Sequence, residues 1–117
     1  MGHTSVRMKI CGSAGSKEVE LLVDTGSTYT WVSDKILKEI GVKPGKTWKF
    51  KTIDGRVIKR EIGEAIVEWN GEKATTVVVF AKEGDKEVLG VHAMEGLQLE
   101  VDPVSRELRK VEASLAV

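Results

Sequence analysis

Cysteine is almost absent: Cys11 is the single one in 117 residues. An internal disulfide is therefore impossible and a cysteine-based zinc cluster is excluded. A chain with this cysteine usage suits a reducing compartment, and a cytoplasmic location is expected. Histidine is just as scarce, and His3 and His92 stand too far apart to share metal-ligand spacing, so no metal is expected. Neither charge dominates. Lys plus Arg is 18 and Asp plus Glu is 18, which leaves a formal net charge of zero. Proteins dedicated to nucleic acid or to anionic membrane surfaces normally carry a basic excess. No apolar run approaches the roughly 18 residues that a membrane span requires. Met1–Val6 lacks the apolar region of a signal peptide, and Val6 stands where a myristoylation pattern requires Ser or Thr. Nucleic acid and membrane are accordingly not expected as partners.

What is present is a globular balance, 41% hydrophobic and 31% charged, over a length that fits one domain spanning 1–117. The dominant period is two. Val6, Met8 and Ile10 alternate with Ser5, Arg7 and Lys9, the pattern of a half-buried strand. Gly12–Ser16 reads as a turn, because Gly12 to Lys17 is too short for a phosphate-binding loop. A second strand runs from Val19 to Val23. Ser33 is placed to cap a helix over Asp34–Ile40, and Gly41 to stop it. Two hairpins follow. In the first, Trp48–Lys51 turns at Asp54-Gly55, read as a two-residue turn, and returns over Arg56–Ile62. In the second, Ala65–Trp69 turns at Asn70-Gly71 and returns over Ala74–Phe80. The β-branched run Thr75–Val79 predicts a central strand. A charged loop over Ala81–Glu87 leads to Val88-Leu89-Gly90 and a helical turn at Val91–Glu95. Leu97, Leu99 and Val101 then alternate, Asp102-Pro103 opens a turn, and Leu108–Val111 predicts a last strand. The expected fold class is all-β with one or two short helices, closed or nearly closed into a β-barrel.

The stretch with chemical content is Leu21-Leu22-Val23-Asp24-Thr25-Gly26-Ser27-Thr28. An apolar strand carries a carboxylate to the edge of a packed core, where its position is rigid. Gly26 permits a sharp turn. Its amide and the Ser27 hydroxyl are expected to hydrogen-bond the Asp24 carboxylate, and Thr25 supplies a hydroxyl beside it. Alone, Asp-Thr-Gly reads as a turn closing a strand.

In context, the chain resembles the retropepsin-like aspartic proteases, in the manner of their cellular and prokaryotic single-domain members. Four features in the family's order carry the resemblance: Val23-Asp24-Thr25-Gly26-Ser27-Thr28, the hairpin Phe50–Lys59 at the place of the flap, Val88-Leu89-Gly90, and the helical turn after it. The resemblance implies an acid-protease barrel with one lobe per subunit. It implies catalytic residues Asp24, Thr25, Gly26 and Ser27, and flap residues Ile53, Asp54, Gly55 and Arg56 over the substrate. Only one such Asp-Thr-Gly occurs, while pepsin-like chemistry needs two facing carboxylates, so the second comes from a second copy. Thr25 would bond across the two-fold axis. The pair would share a proton. One carboxylate would act as general base on a water and the other would polarise the scissile carbonyl of a peptide or unfolded protein, with no cofactor. A hydroxyl donated by Ser27 would favour ionised Asp24 and shift activity towards acid. The flap strands carry Lys49, Lys51, Arg56, Lys59 and Arg60, which would suit acidic substrates. Trp31, Trp48 and Trp69 read first as packing residues, with Trp31 and Tyr29 close enough to the loop to line a pocket. Two other readings keep the fold without the chemistry: a dimeric peptide-binding module with little or no turnover, and a monomeric barrel without an active site.

Overall fold

The structure, a computed structural model, describes residues 4–111, so the N-terminal reading of Met1, Gly2 and His3 lies outside the described residues. Strands β1 (Ser5–Cys11) and β2 (Ser16–Val23) form an antiparallel hairpin whose inward residues include Met8, Ile10, Val19 and Leu21. This is the predicted period-two alternation. Strand β3 (Thr30–Ser33) leads into helix α1 (Asp34–Glu39). Ser33 occupies the N-cap position, but its hydroxyl makes no cap bond; instead its own N–H donates to Glu87 Oε1 at 2.9 Å. The other end follows expectation. Gly41 adopts φ +85°, its N–H donates to Lys38 O, and the Val42 N–H donates to Leu37 O, which is the paired closure of a Schellman motif.

Strand β4 (Lys46–Lys51) pairs with the first half of β5 (Val57–Trp69), and β6 (Glu72–Ala81) pairs with the second half. The two predicted strands over 56–69 are therefore one. Gly63 does not break it. A Cβ there would stand 2.6 Å from Lys43 O, so the glycine serves close approach of backbone within the strand. Asn70 and Gly71 both have positive φ, as a two-residue type I′ turn requires. The other hairpin differs from expectation. Thr52 N–H donates to Arg56 O and Gly55 has φ +86°, so Ile53-Asp54-Gly55 is a three-residue loop with glycine at the left-handed position.

Strand β7 (Val88–Leu89) precedes helix α2 (Val91–Gly96), and β8 (Leu99–Val101) pairs with β9 (Leu108–Lys110) in a separate two-stranded sheet. Leu97 does not join the alternation of Leu99 and Val101. It caps α2, and Gln98 at φ +55° reverses the chain before the strand begins. The main sheet runs β1-β2-β7-β3-β6-β5-β4, and β1 pairs back onto β5. Six strands thus close a ring, with β4 and the start of β5 projecting from it as a two-stranded arm. The fold is all-β, as expected. Met8, Ile10, Leu21, Val32, Val67, Val78, Phe80 and Leu89 fill the core, sealed by Leu37 of α1 and Ala93 of α2. Each fully buried aliphatic side chain contributes about 1.5–3 kcal/mol. Strand β6, with Val78, Val79 and Phe80 fully buried, lies between β3 and β5, the central place predicted for it.

Candidate active site

Asp24 is the first residue beyond β2, and its exit from the sheet is tied on both sides. Its N–H donates to Leu89 O at 3.0 Å, and the Val23 N–H donates to Thr4 O at 2.7 Å. Within the loop the Gly26 N–H donates to Asp24 Oδ1 at 2.9 Å, as expected. A Cβ on Gly26 would stand 3.2 Å from that same oxygen. Asp24, Thr25, Gly26 and Thr28 are exposed and Ser27 is half-buried. The Ser27 hydroxyl, however, donates to Tyr29 O at 2.7 Å. The carboxylate is thus held by a backbone N–H, and the serine fixes the loop. The hydroxyl bond expected to favour ionised Asp24 is spent two residues further along, a short-range side-chain-to-backbone pairing open to any serine in a turn.

The Val88-Leu89-Gly90 segment braces this loop from below. Val88 and Leu89 pair in parallel with Leu22 and Val23, and Val88 also faces Trp31, so β7 wedges between β2 and β3. The buried Gly90 N–H donates to Thr30 Oγ1 at 3.0 Å. The first turn of α2 then donates outward: Val91 N–H to Ser27 O at 2.8 Å and His92 N–H to Thr28 O at 2.9 Å. N–H groups at a helix start have no partner within the helix, and here they fasten the loop. Gly90 admits no side chain, because a Cβ would lie 2.4 Å from Tyr29 O.

Thr30 is a site residue that motif reading missed. Its signal was a polar residue in phase with buried Val32 on a short strand, fully buried and bonded to the glycine of a distant segment.

The arm reaches the loop through its root. Trp48 packs on Tyr29 with ring centroids 5.2 Å apart, Phe50 packs edge-on to Trp31 at 5.0 Å, and Tyr29 also meets the His92 ring at 6.1 Å. Tyr29 and Trp31 thus join Trp48 and Phe50 in one aromatic stack beside the loop. Ile53 stands fully exposed at the tip. Around it the Thr52 hydroxyl bonds the Asp54 carboxylate, and Arg56 Nε donates to Asp54 Oδ2 at 3.0 Å. The Thr52 hydroxyl above all, aided by Arg56, holds the Asp54 carboxyl below its ordinary range. The structure therefore brings Asp24, Thr25, Gly26 and Ser27 into one loop and Ile53, Asp54, Gly55 and Arg56 into one tip, joined through the aromatic root.

The basic residues of the arm do not face the loop as a set. Trp48 and Phe50 share one face of β4, so alternation turns Lys49 and Lys51 to the other, where Lys49 stands opposite Lys59. Arg60 is engaged elsewhere. Its Nε and Nη2 donate to the two oxygens of Asp85 at 2.7 and 2.9 Å, and the pair is mostly shielded from water. The face turned towards Tyr29 and Trp31 is aromatic, which removes the support for acidic substrates.

Two grooves, of about 710 and 290 Å3, lie at the root of the arm near Gly12, Gly41 and Gly63, and between α1 and the 82–85 loop. Asp24 lines neither. Among the described residues no group of three or more His, Cys, Asp or Glu is placed to hold a metal ion, and no helix is long and apolar enough to cross a membrane.

An all-β ring that delivers an Asp-Thr-Gly loop from one strand, and braces it with an apolar-apolar-glycine strand and a helical turn, has the build of an aspartic-protease lobe. The chain matches the family described as gag-polyprotein putative aspartyl protease over residues 10–96, and it belongs to that family. The match includes the Asp24 loop, the arm, Gly90 and α2; β8 and β9 lie beyond it. No curated protein matches the chain.

Proposed function

We propose that the chain is an aspartic endopeptidase that works as a homodimer, each copy supplying one Asp24. The observation that carries this is the Asp24 loop itself: an exposed carboxylate oriented by the Gly26 N–H and locked from beneath by Leu89, Gly90 and α2. Rigid placement of a reacting group is what catalysis rewards. A single copy offers one such carboxylate on open surface, and a two-fold axis through the exposed Thr25 loop completes the site. In the facing pair the two carboxyls hold one proton, because like charges a few ångströms apart resist joint ionisation. The ionised member removes a proton from a water, whose oxygen attacks the peptide carbonyl. The protonated member donates a hydrogen bond to the carbonyl oxygen as it gains charge. Collapse of the tetrahedral diol, with a proton passed to nitrogen, releases the amine. Tyr29, Trp31 and the aromatic root of the arm border the loop and favour apolar side chains of a peptide or unfolded protein. A reducing, cytoplasmic workplace is proposed with it, from the single Cys11.

Hydrolysis of an unstructured protein and a quenched peptide library, from about pH 3 to 8, tests the reading against Asp24→Asn. That substitution keeps the loop's shape and removes the ionisable group. Activity in the parent that disappears in Asp24→Asn is expected. Equal activity in both would assign hydrolysis to another site. Inactivity of a parent shown to be dimeric would favour a peptide-binding module.

A further inference from the structure

The β8–β9 hairpin, which lies beyond the family match, ends on the same edge of the molecule as Asp24. Thr4 joins the two: its carbonyl accepts the Val23 N–H beside Asp24, and its hydroxyl donates to Arg106 O at 2.5 Å in the β8–β9 turn. The opposite end of the hairpin points away, where Lys110 Nζ meets Glu72 Oε1 at 3.3 Å by the Asn70-Gly71 turn. The edge that presents an incomplete catalytic site therefore also presents this turn.

The turn is built rather than slack. Asp102 Oδ1 accepts the Val104 N–H at 2.8 Å and the Ser105 N–H at 3.2 Å, its Oδ2 accepts Arg109 Nη1 at 2.8 Å, and the Arg106 N–H donates to Asp102 O at 2.8 Å. Arg109 also bonds Glu100 at 3.0 Å. Held at the apex by these bonds is Val104, 90% exposed. An apolar side chain carried on a short, hydrogen-bonded turn spends the backbone's ordering cost before any partner arrives. Polar and charged residues surround it, as at the rim of an interface. The two-stranded sheet beneath has unpaired outer edges among the described residues, and Leu99, Val101 and Leu108 anchor it to the core.

We propose that the Asp102–Glu107 turn, with Val104 at its centre, is part of the contact with a second copy of this chain that brings the two Asp24 loops face to face. The proposal rests on the dimeric-protease reading and names its interface. A two-fold axis doubles every contact, so one substitution alters the interface twice.

The test is sedimentation equilibrium of the full chain across a concentration series, comparing the parent with Val104→Asp and with Lys35→Asp, a charge-changing control on exposed α1. Circular dichroism and thermal midpoints confirm that each variant folds. Expected is a parent dimer whose dissociation constant rises at least about tenfold in Val104→Asp and stays within about twofold in Lys35→Asp. Peptidase activity of Val104→Asp is expected to fall at low concentration and recover at high concentration, which a defect in the chemistry would not do. A dimeric parent with equally dimeric, folded Val104→Asp would overturn this interface and leave the dimeric protease standing. A parent that is monomeric at every concentration would overturn both.

Discussion

Gly90 and Gly26 both touch the Asp24 loop, yet a methyl group added to each meets a different obstacle. At Gly90 it would lie 2.4 Å from a backbone carbonyl oxygen and 2.9 Å from another. Backbone on a braced loop cannot step aside cheaply, and overpacking of this kind costs about 1–3 kcal/mol. At Gly26 the nearest atom is Asp24 Oδ1 at 3.2 Å, a side-chain oxygen that rotates away at little cost to the fold. Gly90→Ala is therefore expected to lower both thermal midpoint and activity, and Gly26→Ala to lower activity at a nearly unchanged midpoint. Paired thermal melts and peptide-hydrolysis rates check the contrast; a Gly90→Ala protein as stable as the parent would contradict this packing. Legibility at this scale follows the reach of each interaction. Asp24-Thr25-Gly26 is readable because the glycine amide and the carboxylate are two residues apart. The hydroxyl of Ser27 is equally local, but two acceptors compete for it, and only the folded loop shows that the Tyr29 carbonyl wins. Thr30 is harder still, since its partner, Gly90, lies in another segment altogether.

Among the elements, the arm shows what period-two reading captures and what it leaves out. Alternation places β4 and the start of the return strand, while the return runs on to Trp69 as one strand, and Asn70-Gly71 announces its turn. The loop at Ile53-Asp54-Gly55 took one more residue than its dipeptide suggested, because Thr52 and Arg56 bond each other across its base. Gly63 lies within the continuous strand and is a point of close approach. The base of the arm is secured by a contact no pattern predicts: Arg60 forks onto Asp85 in the loop after β6. Asp85 also accepts the Lys82 N–H at 2.8 Å. Chiefly through Arg60, its carboxyl is held below the ordinary carboxylate range, against a smaller opposing effect of burial. A carboxyl depressed in the folded state stabilises the fold above its unfolded pKa, about 3.9, and loses that contribution as pH falls through the lower folded value. Below roughly pH 4 the parent should therefore lose stability that Asp85→Asn never had. Charge-assisted bonds of this kind contribute about 1.5–3 kcal/mol. Urea unfolding midpoints at neutral pH and in steps through the acid range check this. The parent's advantage over Asp85→Asn should be fully present near neutrality and shrink with acid; a difference independent of pH would mean that Asp85 acts by shape alone. The point bears on function, since Arg60 and Asp85 tie the base of the arm to the ring.

For the molecule as a whole, the decisive fact is that one ring carries one Asp-Thr-Gly loop. Its formal net charge of zero places no general repulsion between copies. The all-β class was legible from alternation and turns, whereas closure of the ring was not fully so: it depends on β1 meeting β5 at Cys11 and Ile66, residues far apart in the chain. Assembly of the site is one step further from sequence, and it can be tested without knowing the natural substrate. If each active centre needs one Asp24 from each of two copies, an Asp24→Asn protomer is an inhibitor of the parent, since a mixed dimer has a single carboxylate and no proton-sharing partner for it. At concentrations well above dimer dissociation, random re-pairing with an equal amount of Asp24→Asn should reduce total activity to about half, and larger excesses should reduce it in proportion to the parent's share of protomers. Adding the same excess of an unrelated protein should leave the rate unchanged. Mixing must be followed until exchange is complete, which a time course of activity reveals by its plateau. A plateau at the original activity, with exchange shown to have occurred by mass-labelled protomers, would mean that one Asp24 is sufficient and that the active centre lies within a single copy.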